Sequence, residues 1–306
     1  MLVVALLAAT AAAFVLTEVL KLQPSPIRAP VEVTRVFSPV CNCRTAVAGI
    51  EFRLRERDVL DVSMVDGEDA VVSTIVRGSS HAAGDVDLEW DGRDDAGRVL
   101  PEGEYRVRIH LREERETITL PSTAQTRIDV TPPVVESVDV PRRVFSPDGD
   151  GVADRLLVSY SLSEDAPALL YVDGQRRGLK RFAQREGRFV WNGKANGRAL
   201  PAGSYQLAVS AHDSAGNLAE RSPEVRVRIR YVALGRNRIE VTAGARFAVR
   251  VSSDASEVRW RLAGRSGGAP PGTLLLRAPR QKGQFTLVVS ANGHSARAAV
   301  FVREAS

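Results

Sequence analysis

The sequence predicts an all-β protein, built as tandem two-sheet sandwiches behind one apolar N-terminal segment. Three observations carry this. Apolar and charged residues alternate with a period of two over many short stretches. Turn dipeptides such as Asp91-Gly92, Asn192-Gly193, Asn196-Gly197 and Asn292-Gly293, and the tripeptide Ala215-Gly216-Asn217, punctuate those stretches. Three short motifs also recur in the same order at offsets of 100 to 108 residues.

The alternation is plain in every part of the body. Ile50, Phe52 and Leu54 alternate with Glu51, Arg53 and Arg55. Tyr105, Val107, Ile109 and Leu111 alternate with Arg106, Arg108 and His110. Val225, Val227 and Ile229 alternate with Arg226, Arg228 and Arg230, and Phe247, Val249 and Val251 precede Val258, Trp260 and Leu262 in the same style. Such a stretch buries one face and wets the other, as a half-buried antiparallel strand does. No helical period stands out beyond the N-terminus. About seven short strands per 100 residues imply an immunoglobulin-like sandwich.

The repeats set the boundaries. Phe37-Ser38-Pro39 returns as Phe145-Ser146-Pro147, and Trp90-Asp91-Gly92 returns as Trp191-Asn192-Gly193. Leu100-Pro101-Glu102-Gly103-Glu104-Tyr105 returns as Leu200-Pro201-Ala202-Gly203-Ser204-Tyr205. The expected architecture is three tandem immunoglobulin-like β-sandwich domains after one N-terminal transmembrane helix. Its segments are an anchor or signal segment at 1–22, a Pro-rich spacer at 23–30, and domains at 31–131, 132–230 and 231–306. The third keeps only the last motif, as Gly283-Gln284-Phe285 ahead of an alternating strand.

The compound pattern F-S-P, W-D-G-x-D-x-x-G and L-P-x-G-x-Y resembles the FlgD/Vpr-type immunoglobulin-like domains of bacterial surface and secreted proteins. The resemblance covers 31–131 and 132–230 closely and 231–306 loosely. It implies a structural module on an exported protein, not a hook-capping activity. The motif residues carry structural expectations. Phe37 and Phe145 open the recurring pattern, and Trp90 and Trp191 each end a strand and plug the sandwich edge. Asp91, Gly92, Asn192 and Gly193 make tight turns. Gly103 and Gly203 shape the bend into the next strand. Tyr105 and Tyr205 are core tyrosines whose hydroxyls cap a loop.

The N-terminal run from Leu2 to Leu20 is 19 residues long, with Glu18 near its end. That length stands at the lower edge of a membrane-spanning helix. It reads as a single-pass anchor. A signal peptide cut after Ala11-Ala12-Ala13 is the other reading. Lys21 and Arg28 follow the run and oppose export of the body by the positive-inside rule. The cysteine pair and the resemblance argue for export. Three prolines at 23–30 read as a stiff spacer.

Two loops stand out chemically. Asp148, Asp150 and Asp154, with Gly149 and Gly151 between them, supply hard oxygen ligands at a spacing that can curl around calcium. The competing reading is a plain Asx/Gly turn in solvent. At the same place in the first repeat stand Val40-Cys41-Asn42-Cys43, so that loop has no calcium ligands to match. Cys41 and Cys43 read as a local disulfide in an oxidising compartment, with free thiols, a metal or an intermolecular linkage as alternatives. No catalytic residues are assigned. The four histidines are scattered, and no nucleophile elbow, Walker loop or dinucleotide fingerprint is present.

Charge is uneven. The 306 residues carry 42 Lys and Arg against 37 Asp and Glu, a net +5. By segment the net is −7 over 31–131, +3 over 132–230 and +8 over 231–306. Only Lys21, Lys180, Lys194 and Lys282 are lysines, an arginine bias consistent with a GC-rich genome. The arginines fall on strand faces without the interleaved aromatics that stack bases, so nucleic acid is not expected. The expected partners are the membrane, through the N-terminal helix, and an anionic envelope polymer or protein at the basic third domain. A non-enzymatic envelope protein with its body outside a bacterial cell is the expected function. A secreted binding module and an accessory array of an exported hydrolase are the alternatives.

Overall fold

A computed structural model describes residues 25–304, together with Thr10 and Phe14. The helix expected over 1–22 lies outside the described residues, and among the described ones no helix is long and apolar enough to cross a membrane. Over residues 25–304 the protein is strand and loop, with one 3-10 turn at Ser122–Ala124.

The described chain divides into two compact units. The first holds the residues up to Thr131 with Ser214–Asn217, and the second holds Pro132–Asp213 with Leu218 onward. Unit one encloses one apolar core and unit two encloses two. The division into three separate domains is therefore not reproduced by contacts alone.

Each core is nonetheless walled by the same eight-strand arrangement. In unit one a three-stranded sheet runs Ile27–Val33, Ala48–Leu54, Gly84–Trp90. Its partner sheet runs Val36–Phe37, Thr126–Ile128, Gly103–Leu111, Asp58–Val65, Val71–His81, with Glu116–Thr119 added beside Gly103–Leu111. The first core of unit two repeats this as Val135–Asp139, Leu156–Ala166, Gln184–Trp191 against Val144–Phe145, Val225–Ile229, Gly203–Ala211, Ala168–Val172, Gln175–Leu179. Its second core does so as Val232–Leu234, Arg246–Ser253, Gly272–Arg277 against Arg238–Thr242, His294–Arg303, Gly283–Ala291, Val258–Leu262, Arg265–Ala269. In all three, the second strand pairs in parallel with the last while the other ladders are antiparallel. This is a two-sheet sandwich of the immunoglobulin kind.

The local reasons are those of the alternation. Ile50, Phe52 and Leu54 are buried while Glu51 and Arg53 are exposed. Several hairpins close on two-residue turns with both residues left-handed: Asp173-Gly174, Asn196-Gly197, Ala263-Gly264 and Asn292-Gly293. That geometry matches the strand twist and favours Asn, Asp and Gly.

One boundary moves. The spacer expected at 23–30 ends early, because Ile27 and Arg28 already pair with Leu54 and Arg53. Ile27 is buried in the core of unit one, and the ladder shifts register between Arg28 and Glu32, around Pro30. Proline lacks the amide a regular ladder needs, so it is tolerated at such an irregularity of an edge strand.

The recurring motifs meet at one end of each of the first two sandwiches. Phe37 lies 5.5 Å from Trp90, and Trp90 lies 5.3 Å from Tyr105, ring centre to ring centre. Phe145, Trp191 and Tyr205 repeat the arrangement at 5.3 and 5.9 Å. The Tyr105 hydroxyl donates to the Pro101 carbonyl at 2.8 Å, and Tyr205 to Pro201 at 2.7 Å. The proline of F-S-P packs on the glycine after the tryptophan: a Cβ on Gly92 would stand 3.0 Å from Pro39, and one on Gly193 only 2.6 Å from Pro147. Both glycines also have positive φ.

Gly193→Ala is therefore expected to destabilise by about 2–5 kcal/mol, through overpacking added to backbone strain. Gly197→Ala has positive φ but open space around the added methyl, and should cost about 1–2 kcal/mol. Urea unfolding of the two variants checks that order.

In unit one, Arg112 grips Asp61 with two hydrogen bonds of 2.9 and 2.7 Å, and the Gly78 amide adds a third at 2.7 Å. These contacts hold the Asp61 carboxyl down at about 2, the Arg112 bond foremost and partial burial opposing. The folded value is depressed, so this contribution to stability is full above 3.8 and is lost as pH falls toward about 2. In Arg112→Ala the Asp61 carboxyl resonance should titrate nearer 3.8, as an NMR pH titration would show.

Candidate functional site

The loop after Phe145-Ser146-Pro147 leaves the aromatic stack directly and turns through Gly149, Gly151 and Ala153, all with positive φ. Asp154 serves that turn: its two carboxylate oxygens accept from the Gly149 amide at 2.6 Å and the Gly151 amide at 2.8 Å. Asp150 Oδ1 accepts from the Val152 amide at 2.8 Å. Ser146 Oγ donates to Asp148 Oδ2 at 3.1 Å.

The structure joins Asp148 and Asp150 as the sequence suggested, but the third carboxylate beside them is Asp254 rather than Asp154. One ligand oxygen from each of Asp148, Asp150 and Asp254 lies within 4.8 Å of the others. Asn292, in the two-residue turn before His294, donates its side-chain amide to Asp148 at 3.2 Å and to Asp150 at 3.1 Å. Both partners lie more than 100 residues from Asp148. The sequence marks Asn292 only as a turn residue and carries no signal for Asp254. Asp154 is drawn off because the two glycine amides point at its position in a left-handed turn.

The cluster is electrostatically unfavourable as it stands. Asp148 Oδ1 and Asp254 Oδ1 are buried atoms without a hydrogen-bond partner. Burial foremost raises the Asp254 pKa, and the charges of Asp148 and Asp150 add to it, against opposing hydrogen bonds from its own backbone and Ser146. Carboxylates this close repel unless one holds a proton or a cation sits among them. Among the described residues this is the one group of three or more His, Cys, Asp or Glu spaced to share an ion.

The first sandwich answers with a covalent link. Cys41 and Cys43 form a disulfide, with Cα atoms 5.3 Å apart. The loop is held further by Ser38 and Thr45, whose backbones bond at 3.0 Å, and by the Thr45 hydroxyl, which donates to the Ala215 carbonyl at 2.6 Å. Asn217, in the same four-residue segment of unit one, donates to the Asp129 carbonyl at 2.9 Å.

The histidines do not converge. His110 bonds Thr117, His212 bonds the Asp213 carbonyl, and His294 stacks on Tyr231 at 3.5 Å between ring centres. Tyr231 in turn donates to the Leu200 carbonyl at 2.8 Å.

The sequence model of the FlgD Ig-like domain matches residues 45–114. Curated protein sequences give no match. Among solved structures, the chain is similar to the I9–I11 tandem of titin at 11% identity, covering 91% of this chain and 100% of that one, with a TM-score of 0.32. It is similar to the fibronectin(III)-like modules of Clostridium thermocellum CbhA at 15% identity, over 67% and 93% of the two chains, with a TM-score of 0.36. A tetra-tandem repeat from the extending region of a large adhesion protein matches at 14% identity, over 89% and 73%, with a TM-score of 0.28.

Because the folded Asp254 pKa is raised, its contribution to stability is present below 3.8 and lost as pH rises through the raised value. Asp254→Asn should remove that loss. In a calcium-free thermal melt the variant should equal the wild type in acid and exceed it at neutral pH.

Proposed function

We propose that this chain is a non-enzymatic, membrane-anchored cell-envelope protein that presents three immunoglobulin-like domains outside a bacterial cell for structural or adhesive binding. The single observation that carries the reading is the repeated aromatic stack sealed by proline on glycine. It turns the repeated motifs into supports for sandwiches, and the FlgD Ig-like match to 45–114 falls on one of them. The shared eight-strand topology around three cores supports a count of three domains. The apolar run from Leu2 to Leu20 supports the anchor, and the Cys41–Cys43 bond supports an oxidising compartment.

Location is tested by shaving intact cells with protease and sequencing the N-terminus of the mature chain. Digestion of the body with residues 1–22 retained is the expected result. A cytosolic, protected body overturns the reading, and a mature chain lacking the apolar run makes the protein a secreted module instead.

Calcium is the ligand proposed for the Asp148, Asp150 and Asp254 carboxylates, with the orphaned buried oxygens of Asp148 and Asp254 as support. Three carboxylates without a bidentate distal glutamate suit the weak affinities of extracellular modules, on the order of 0.1–1 mM. Calcium in that range should raise the melting temperature of the wild type and leave Asp254→Asn unmoved. Equal responses, or none, remove the site.

The basic segment 231–306 is the proposed contact for an anionic envelope polymer or protein.

A further inference from the structure

The excess charge of residues 231–306 is concentrated by strand register. Arg246–Ser253 and Gly272–Arg277 are antiparallel neighbours, with Arg246 opposite Arg277, Ala248 opposite Leu275 and Arg250 opposite Thr273. Val249, Val251, Leu274 and Leu276 fill the core from the other side of these strands. The outer side therefore shows Arg246, Arg250 and Arg277, all exposed, around Ala248 and a Leu275 that is 74% exposed.

Two arginines directly opposite each other repel, at a cost a sheet ordinarily avoids. The acids of the segment are engaged elsewhere. Glu240 pairs with Arg238 and Arg303, and Glu304 pairs with Lys282. Asp254 belongs to the carboxylate cluster, and Glu257 lies over Gly268 of the opposite sheet. Among the described residues, none of Arg246, Arg250 and Arg277 forms an ion pair. Three guanidinium forks thus stand on one sheet face without an internal anion.

We propose that this face binds a linear anionic polysaccharide bearing carboxylates. The inference rests on the envelope-binding reading above and names its partner and surface. Arg246 and Arg277 form one doubly cationic subsite whose forks match a carboxylate. Arg250 forms a second, about 14 Å along the strand at roughly 3.4 Å per residue. Between them Leu275 and Ala248 make a short apolar strip for the C–H face of a sugar ring. The chemistry favours a glycan over nucleic acid. Duplex DNA carries one charge per about 1.7 Å of axis, far denser than these cations, and the face has no aromatic ring to stack a base.

The test uses the purified full chain in detergent, titrated calorimetrically at low and high salt. Polygalacturonate is the probe, with neutral dextran and duplex DNA as comparisons. Polygalacturonate should bind and weaken with salt, dextran should not bind, and DNA should bind more weakly than polygalacturonate. The double variant Arg246→Ala/Arg277→Ala should lose affinity at least about tenfold. Its melting temperature should equal or exceed the wild type's, because a repulsive pair has been removed, so a binding loss cannot be laid to misfolding. Arg259→Ala/Arg261→Ala, on the opposite sheet, should bind as the wild type does. No binding of polygalacturonate, equal loss in the two double variants, or tighter binding of DNA overturns the proposal. Those outcomes leave the cell-surface location standing, since protease shaving reads that separately.

Discussion

Proline seated on glycine beside a tryptophan is the contact on which the first two sandwiches depend. Phe37 belongs to the larger sheet, Trp90 ends a strand of the smaller one, and Tyr105 returns on the larger. The three rings therefore tie the two sheets together at one end. The chain can turn sharply after the tryptophan only because Gly92 leaves room for Phe37 and Pro39, and Gly193 does the same for Pro147 and Ile229. The two chemically unusual loops, the disulfide loop at Cys41 and the acidic loop at Asp148, both begin at the residue after that proline. Their position follows from the aromatic joint, and their chemistry is free to differ.

The third sandwich shows how much of the topology is independent of that joint. It has no Phe-Trp-Tyr stack, yet its strands follow the same order, with Arg238–Thr242 parallel to His294–Arg303. Alternation and turn chemistry suffice for the arrangement. A core of Val, Leu and Ala fills it, with Trp260 and Phe285 only partly buried against it. The arginine face belongs to this sandwich, and Asp254 and Asn292 extend from it to the acidic loop.

The strands were largely legible. The stretch from Ile50, the one ending at Leu111, and those of Val225–Ile229 and Val258–Leu262 form as alternation requires, because burial of one face leaves a single choice of register. The tyrosine caps were legible too, since the bend from Pro101 to Gly103 recurs with its tyrosine at a fixed spacing. Proline density over 23–30 signals a linker, but Ile27 has a core site to fill and an edge strand tolerates Pro30, so the first strand begins within that stretch. The carboxylate set was half legible. Asp148 and Asp150 share a loop, but Asp154 is claimed by two glycine amides and Asp254 comes from another loop altogether.

The amino-acid order alone determined the all-β class, the recurrence of the motifs and the rise of charge toward the C-terminal segment. These depend on periodicity, turn residues and counting, which are local properties. Only the tertiary structure decided which charges meet. Asp254 reaches Asp148 and Asn292 reaches Asp150 across more than a hundred residues, and Arg246 faces Arg277 through strand pairing. Electrostatic and coordinating chemistry depends on separations of a few ångströms. Such distances between remote residues exist only once the sheets have paired.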